Sequence, residues 1–213
     1  MSDADASDPF FDPSTPRRLA QHDFDAEYES TPPWDIGAPQ PAFVALVEAG
    51  VLRGRVLDAG CGTGEHALLA DSLGFDATGI DFSPRAIELA REKAAARGLG
   101  AAFVVGDALD LSVLPGQFDT VFDCGLFHVF NDEQRVRYVE SLRAATAPAG
   151  HVLVLCFSDR VPGAFGPRRI TEAELRSSFA GGWTVVSLTR VLMTTTFAPA
   201  GLDAWRAVFA RTD

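Results

Sequence analysis

The spacing of apolar and polar positions changes along the chain, and each change marks an element. Ala42 to Ala49 (AFVALVEA) has helical spacing and is stopped by Gly50. RVLDAG reads as a buried strand, followed by a glycine-rich turn and the helix-like EHALLADSLG. ATGID is a second strand. Ser83 then caps a helix that Pro84 opens, running through AIELAREKAAARG. AAFVVGD and FDTVFDCG are a third and a fourth strand. Asn131 caps the helix DEQRVRYVESLRAATA, which ends before Pro148 and Gly150. HVLVLCFSD is a fifth strand. Thr171, with Glu174 three residues on, opens TEAELRSSF as a capping box. WTVVSLTR and a segment near MTTTF are expected as the last two strands, paired as a hairpin at one edge.

Strands alternating with helices at this spacing imply parallel pairing through crossover connections. Continuous apolar runs such as VLVLCF suit strands covered on both faces. The expectation is an α/β fold: a doubly wound, mostly parallel seven-stranded sheet with an antiparallel edge hairpin. Three segments divide the chain. Residues 1–20, rich in Asp, Ser and Pro with little periodicity, are expected to be a disordered acidic leader. Residues 21–41 carry aromatics but are broken by prolines, so they form no long helix and are expected to pack on the main domain or a ligand. Residues 42–213 form the domain proper.

Composition narrows the partners. The 213 residues carry a formal net charge of -11, which repels nucleic acid unless a basic patch outweighs it. The only basic pairs are Arg17-Arg18 and Arg168-Arg169. The longest strongly apolar run, Val152 to Phe157, is far short of the roughly 20 residues of a spanning helix, and the start of the chain is unlike a signal peptide. Neither nucleic acid nor membrane is an expected partner. Cys61, Cys124 and Cys156 are odd in number and lack CxxC spacing, which argues against a disulfide framework or a zinc site and suits a reducing, cytoplasmic compartment. Cys156, inside VLVLCF, reads as a small core residue.

The chemistry concentrates in VLDAGCGTG, Val56 to Gly64. Glycines after a parallel strand let backbone approach a ligand closely, and the following helix presents unpaired N–H groups. Gly60, Gly62 and Gly64 make GxGxG rather than the GxGxxG of dinucleotide binders. Nor is there a phosphate-loop lysine: Lys93, the single lysine, falls on a helix read as solvated. Asp58 before the loop suits a positive amino group better than a pyrophosphate. Asp81 ends the second strand, where a carboxylate can accept ribose hydroxyls. Asp107 ends the third and can accept from an adenine amino group. Any one of these aspartates has a plain alternative as a cap or turn residue. Three in order, with the glycine loop, describe a nucleoside with an amino-acid tail.

DAGCGTG, GIDFS, GDA and FDTVFDCG together resemble the motif series of class I S-adenosylmethionine-dependent methyltransferases, over residues 42 to 190 or so. The resemblance implies that Asp58, Gly60, Cys61 and Gly62 line the methionine and ribose side, that Asp81 takes the ribose hydroxyls, and that Phe82 packs on adenine with Asp107 and Ala108 at its edge. It gives the Cys124 carbonyl to the methionine amine. PPWDIGAPQP, GLFHVF, LCFSD and GPRRIT further resemble bacterial relatives of thiopurine methyltransferases that act on heterocyclic toxins. In that group the Trp-Asp-x-Gly segment folds over the cofactor, which makes residues 21–41 a cap, with Trp34 and Gln40 over the methyl donor.

A sulfonium is already activated, so such an enzyme mainly aligns donor and acceptor and excludes water. A base helps only where the acceptor must lose a proton. His128, just after the fourth strand, is the histidine placed for that role. It stands as base, as hydrogen-bond partner of the acceptor, or as a packed residue capping the next helix. His22, His66 and His151 read as structural or exposed. Trp34, Phe127, Phe130 and Phe165 are candidate walls for a flat apolar acceptor, and each also reads as core. Arg168 or Arg169 can meet an acidic or carbonyl group, or remain a solvated loop charge. The expected ligands are S-adenosyl-L-methionine, its product S-adenosyl-L-homocysteine and a small-molecule acceptor, without a metal. Two other activities remain open: a non-methylating rearrangement or cyclisation on the same cofactor, and an NAD-dependent oxidoreductase. Monomer and homodimer are both left open.

Overall fold

A computed structural model describes residues 25–163 and 166–212. The expected leader therefore lies outside the described residues, as do His22 and Phe165. Five strands form the parallel part of the sheet. They are β1 (Arg55–Ala59), β2 (Asp76–Asp81), β3 (Ala102–Val105), β4 (Phe118–Cys124) and β5 (Thr146–Phe157). β6 (Trp183–Met193) and β7 (Leu202–Arg211) complete it, in the order β3-β2-β1-β4-β5-β7-β6. β1 pairs in parallel with β2 on one side and β4 on the other, so strand order reverses there. β7 runs antiparallel to both β5 and β6. This is the doubly wound sheet that the alternating pattern implies, with its antiparallel strands at one edge.

Helices cover both faces. On one side lie α1 (Pro41–Glu48), α2 (Glu65–Ser72) and α3 (Pro84–Arg97), which bury Phe43, Leu68 and Ile87 against Val56, Phe122 and Leu153 of the sheet. On the other lie α4 (Asp132–Ala145) and α5 (Glu172–Ser178), whose Tyr138, Leu142 and Leu175 pack on Leu57, Val121 and Val154. Adjacent strand residues thus serve opposite layers, as a period of two requires. The helix starts follow the sequence signals. The Ser83 side chain accepts from the Ala86 N–H, and Asn131 with Gln134 and Thr171 with Glu174 form complete capping boxes.

The last two strands differ from expectation. WTVVSLTR continues through VLM as one eleven-residue strand, while Thr194 to Thr196 leave the sheet in a turn closed by the Thr195 hydroxyl accepting from the Ala198 N–H. The final strand is LDAWRAVFAR instead. Its Ala204, Trp205, Ala207 and Phe209 are buried because β7 lies inside the sheet, with helices over it. Polar Thr194–Thr196, then Pro199 and Gly201, break the ladder where an unbroken β-branched run looked like a strand.

Candidate functional site

Where strand order reverses, the carboxyl ends of β1, β2, β3 and β4 open into a cleft of about 1140 Å³. The glycine loop forms its floor. Gly62 has φ +52° and a side chain there would meet the Tyr28 hydroxyl at 2.9 Å; Gly64 has φ +88° and would meet the Phe103 ring at 2.7 Å. The N–H groups of Gly60 and Cys61 both reach the Ile80 carbonyl, at 2.8 and 3.0 Å, which holds the loop to the end of β2.

Asp81 knits the same region together. Its carboxylate accepts from the N–H of Gly62 at 2.8 Å and of Ser83 at 2.9 Å, while burial raises its pKa. Asp107 accepts the Leu109 N–H at 3.0 Å. Gly60, Cys61, Gly62, Asp81, Phe82, Asp107, Ala108 and Cys124 all line the cleft, as does Trp34. Among the expected floor residues, Asp58 is the exception. It is fully buried beneath the loop, where one carboxylate oxygen takes the Ala67 N–H at 3.2 Å and the other has no hydrogen-bond partner. Burial pushes its pKa up to about 7. Its neighbour His66 is held down to about 4, also by burial, so its imidazole is neutral and the 3.9 Å approach to Asp58 is not an ion pair.

Residues 25–40 cross this end of the cleft. The Trp34 indole donates to the Tyr28 hydroxyl at 3.0 Å, and Asp35 accepts from the Thr63 hydroxyl at 2.7 Å. Gln40 is nearly buried and exchanges hydrogen bonds with the Thr194 backbone at 2.8 and 2.9 Å.

The far end of the cleft is built differently. Asp123 ends up buried in β4, and its carboxylate accepts the N–H groups of Leu126 and Phe127, winding Phe127–Val129 into a single 3-10 turn. That turn sends Phe127 into the core against Phe179, so Phe127 is not a wall of the cleft. His128 faces the cleft instead, next to Phe130. Its Nδ1 accepts the Phe157 N–H at 2.9 Å, which assigns the proton of the neutral ring to Nε2. Burial, aided by the Arg169 charge, lowers its pKa to about 3. An imidazole so tuned is a donor near neutral pH and a poor base, which favours the hydrogen-bonding role among the three open to His128.

Two arginines flank it. Arg168 lines the cleft and, with its side chain 40% exposed, pairs with Asp132 at 2.7 Å and Glu174 at 2.5 Å. Arg169 donates to the carbonyls of Val161 and Pro167 and lies 5.8 Å above the Phe157 ring. Met193 of β6, Thr195 and Phe197 of the turn after it, and Leu202 at the start of β7 form another wall. The sequence reading missed that wall because it placed a strand there. It also missed Tyr28 and Asp35, whose only signal was an aromatic and an acid within a proline-rich stretch.

The family model for a methyltransferase domain matches residues 56–150, which span β1 through the start of β5. A 2-heptyl-1-hydroxyquinolin-4(1H)-one methyltransferase from Mycobacteroides abscessus is 41% identical over 157 residues, 72% of this chain and 69% of that protein. The chain belongs to the class I S-adenosylmethionine-dependent methyltransferases. This methyltransferase also matches, at 42% identity and a TM-score of 0.82, a structure described under the conversion of a disulfide bond into a thioacetal group during echinomycin biosynthesis; 90% of this chain and 93% of that one are covered. A magnesium protoporphyrin IX methyltransferase from Synechocystis with bound S-adenosylmethionine shares the fold at a TM-score of 0.62 and 19% identity, over 80% and 76% of the two chains.

The methyltransferase acts on small molecules and its cofactor is S-adenosyl-L-methionine. The residues fit that group. Carboxylates at the ends of β2 and β3 suit a ribose diol and an exocyclic amine, and the unpartnered Asp58 oxygen beneath the loop suits the positive end of the methionine. Among the described residues, no helix is long and apolar enough to cross a membrane, and no cluster of His, Cys, Asp and Glu is placed to hold a metal ion.

Proposed function

We propose that this methyltransferase acts on a planar aromatic or heteroaromatic acceptor through a hydroxyl that is already ionised near neutral pH. The observation that carries this reading is the tautomer of His128: with Nδ1 occupied by the Phe157 N–H, the ring offers a proton to the cleft and cannot take one. Among the described residues at that end, the carboxylate of Asp132 has its pKa lowered by Arg135 and Arg168, so it is no base either. A donor histidine with Arg169 behind it stabilises an anion and leaves a neutral alcohol unactivated. Phe130, Phe157 and Phe197 supply flat apolar walls.

In this reading Asp81 and Asp107 hold the adenosine part of the cofactor, Phe82 and Ala108 flank adenine, and Gly60, Cys61, Gly62 and the Cys124 carbonyl surround the methionine part. Trp34 covers the methyl donor. The bound cofactor supplies an electrophilic methyl group; the chain aligns the acceptor with it and keeps water out. The likeness to a hydroxyquinolinone methyltransferase supports an acidic N–OH or enol-like hydroxyl.

The test is a series of hydroxyquinolinones and phenols of graded acidity, assayed across pH. The expected rate follows the ionised fraction of each acceptor, and His128→Gln keeps the same pH profile with a lower rate. A rate governed by one enzyme pKa, whatever the acceptor, would refute the reading. The likeness to the echinomycin-related protein favours a sulfur acceptor as second reading, and thiols in the same series decide between them.

A further inference from the structure

The segment from Asp25 to Gln40 is fastened to both halves of the cleft. At the cofactor end, Asp35 takes the Thr63 hydroxyl of the glycine loop. At the acceptor end, the Pro33 carbonyl accepts the Thr196 N–H at 3.0 Å and Gln40 is bonded to Thr194. The single lysine of the chain stands behind the first of these fastenings. Lys93, on α3, donates to the Thr63 hydroxyl at 2.6 Å and to Glu65 at 2.9 Å, and its ammonium lies 3.8 Å from Asp35. It therefore bridges two carboxylates, one on the crossing segment and one at the start of α2.

Those two carboxylates depend on Lys93 unequally. Glu65 also holds Arg97 through two hydrogen bonds, at 2.8 and 2.9 Å, so it keeps a cation without Lys93. Asp35 would be left with the Thr63 hydroxyl and the Gly37 N–H, and with Glu65 nearby as a like charge. The cluster is partly shielded from solvent: the side chains of Lys93 and Asp35 are 27% and 14% exposed. Charges so placed interact more strongly than a freely solvated pair. Lys93 does not line the large cleft, so it acts on bound molecules through the partners that do, Thr63, Asp35 and Glu65, and Glu65 keeps Arg97 when Lys93 is removed.

We propose that Lys93 is a positioning residue that latches the Trp34–Asp35 segment through Thr63 and so sets how long the cofactor stays bound. The proposal rests on the reading of Trp34 as the cover of the methyl donor. Because the same segment carries the turn after β6, the latch also holds the acceptor wall at Thr195 and Phe197. Opening it releases cofactor faster and weakens acceptor binding, while the donor at His128 stays in place.

The experiment measures the release of S-adenosylhomocysteine by stopped-flow displacement, with acceptor KM and kcat, in the full-length protein and five variants. Lys93→Met and Asp35→Asn are each expected to speed release roughly fivefold and to raise acceptor KM, with kcat not reduced in proportion. Their combination is expected to do no more than either alone, since both break one link. Lys93→Arg, which keeps a cation in reach, restores slow release. The proposal is overturned if folded Lys93→Met and Asp35→Asn both release at the wild-type rate, or if their effects add. Trp34→Ala separates the two readings. Fast release in that variant with no change in the other two leaves the cover standing and removes the latch; no change in any of the three removes both.

Discussion

The two ends of the cleft solve recognition by opposite means. At the cofactor end, the groups are backbone N–H donors and three aspartates at or beneath strand ends, all within one span of the chain from Asp58 to Asp107. At the acceptor end, they are side chains drawn from the turn after β4, the loop before α5 and the turn after β6. The charges also differ: carboxylates on the cofactor side, and on the acceptor side a histidine donor with two arginines, of which Arg168 is paired with Asp132 and Glu174. The carboxylates suit a cationic cofactor, and the histidine donor with Arg169 behind it suits the anionic acceptor proposed above. The cofactor end is thus fixed by topology, whereas the acceptor end is free to vary without disturbing the sheet.

That contrast can be broken from either side. The largest effect is expected from Asp81→Ala, which removes both the proposed ribose acceptor and the partner of the Gly62 N–H. Cofactor affinity should fall about 100-fold by calorimetric titration, as the loss of charge-assisted hydrogen bonds implies; unchanged affinity would end the ribose assignment. His128→Ala should lower kcat about 30-fold while leaving cofactor affinity within a factor of two or so, a split that the division between the ends requires. Equal losses in both would show that the ends are not separable.

A subtler effect concerns Asp58. Folded, it titrates at about 7, against an ordinary value of 3.8. Between those values the unfolded chain has lost a proton that the folded chain keeps, so raising the pH weakens folding through this group. Asp58→Asn removes the effect. Its Tm relative to wild type should climb from about pH 4 to about pH 7 and then level off; a flat difference would show that Asp58 is ionised in the folded protein. The buried imidazoles act with the opposite sign. His66 and His128, held at about 4 and about 3, withdraw stability as the pH falls below the ordinary 6.5. The smallest change is expected from Phe197→Ala, which trims a half-exposed wall and should raise acceptor KM about threefold with kcat intact.

The same contrast explains what could be read from sequence. Asp81, Asp107 and the glycines of the loop were legible because each follows an apolar strand directly, and in a parallel sheet a strand end is a place in space. Helix starts at Ser83, Asn131 and Thr171 were legible because a cap is a local event. Phe127 and His128 were not separable, since neighbours in a tight turn point apart, and only the Asp123 carboxylate that winds the turn decides which one enters the core. The Thr194–Phe197 wall was mistaken for a strand because β-branched residues suit either role, and the break comes from the proline and glycine that follow. Lys93 looked solvated because its partners, at Asp35, Thr63 and Glu65, are remote in sequence.

The position of β7 has a consequence for biosynthesis. Among the described strands, β6 has β7 as its sheet neighbour, and β7 is translated after it. While the ribosome is still extending the chain, β5 exposes an unpaired edge and β6 has nothing to join. The cofactor end, assembled from β1 to β4, can take shape early, but the acceptor wall hung on β6 must wait until the WRAVFA stretch emerges and slides between two strands already made. A nascent chain stalled in that interval presents two sticky ladders at once, which makes the closing of the sheet the step most exposed to aggregation and the one where a chaperone has most to shield.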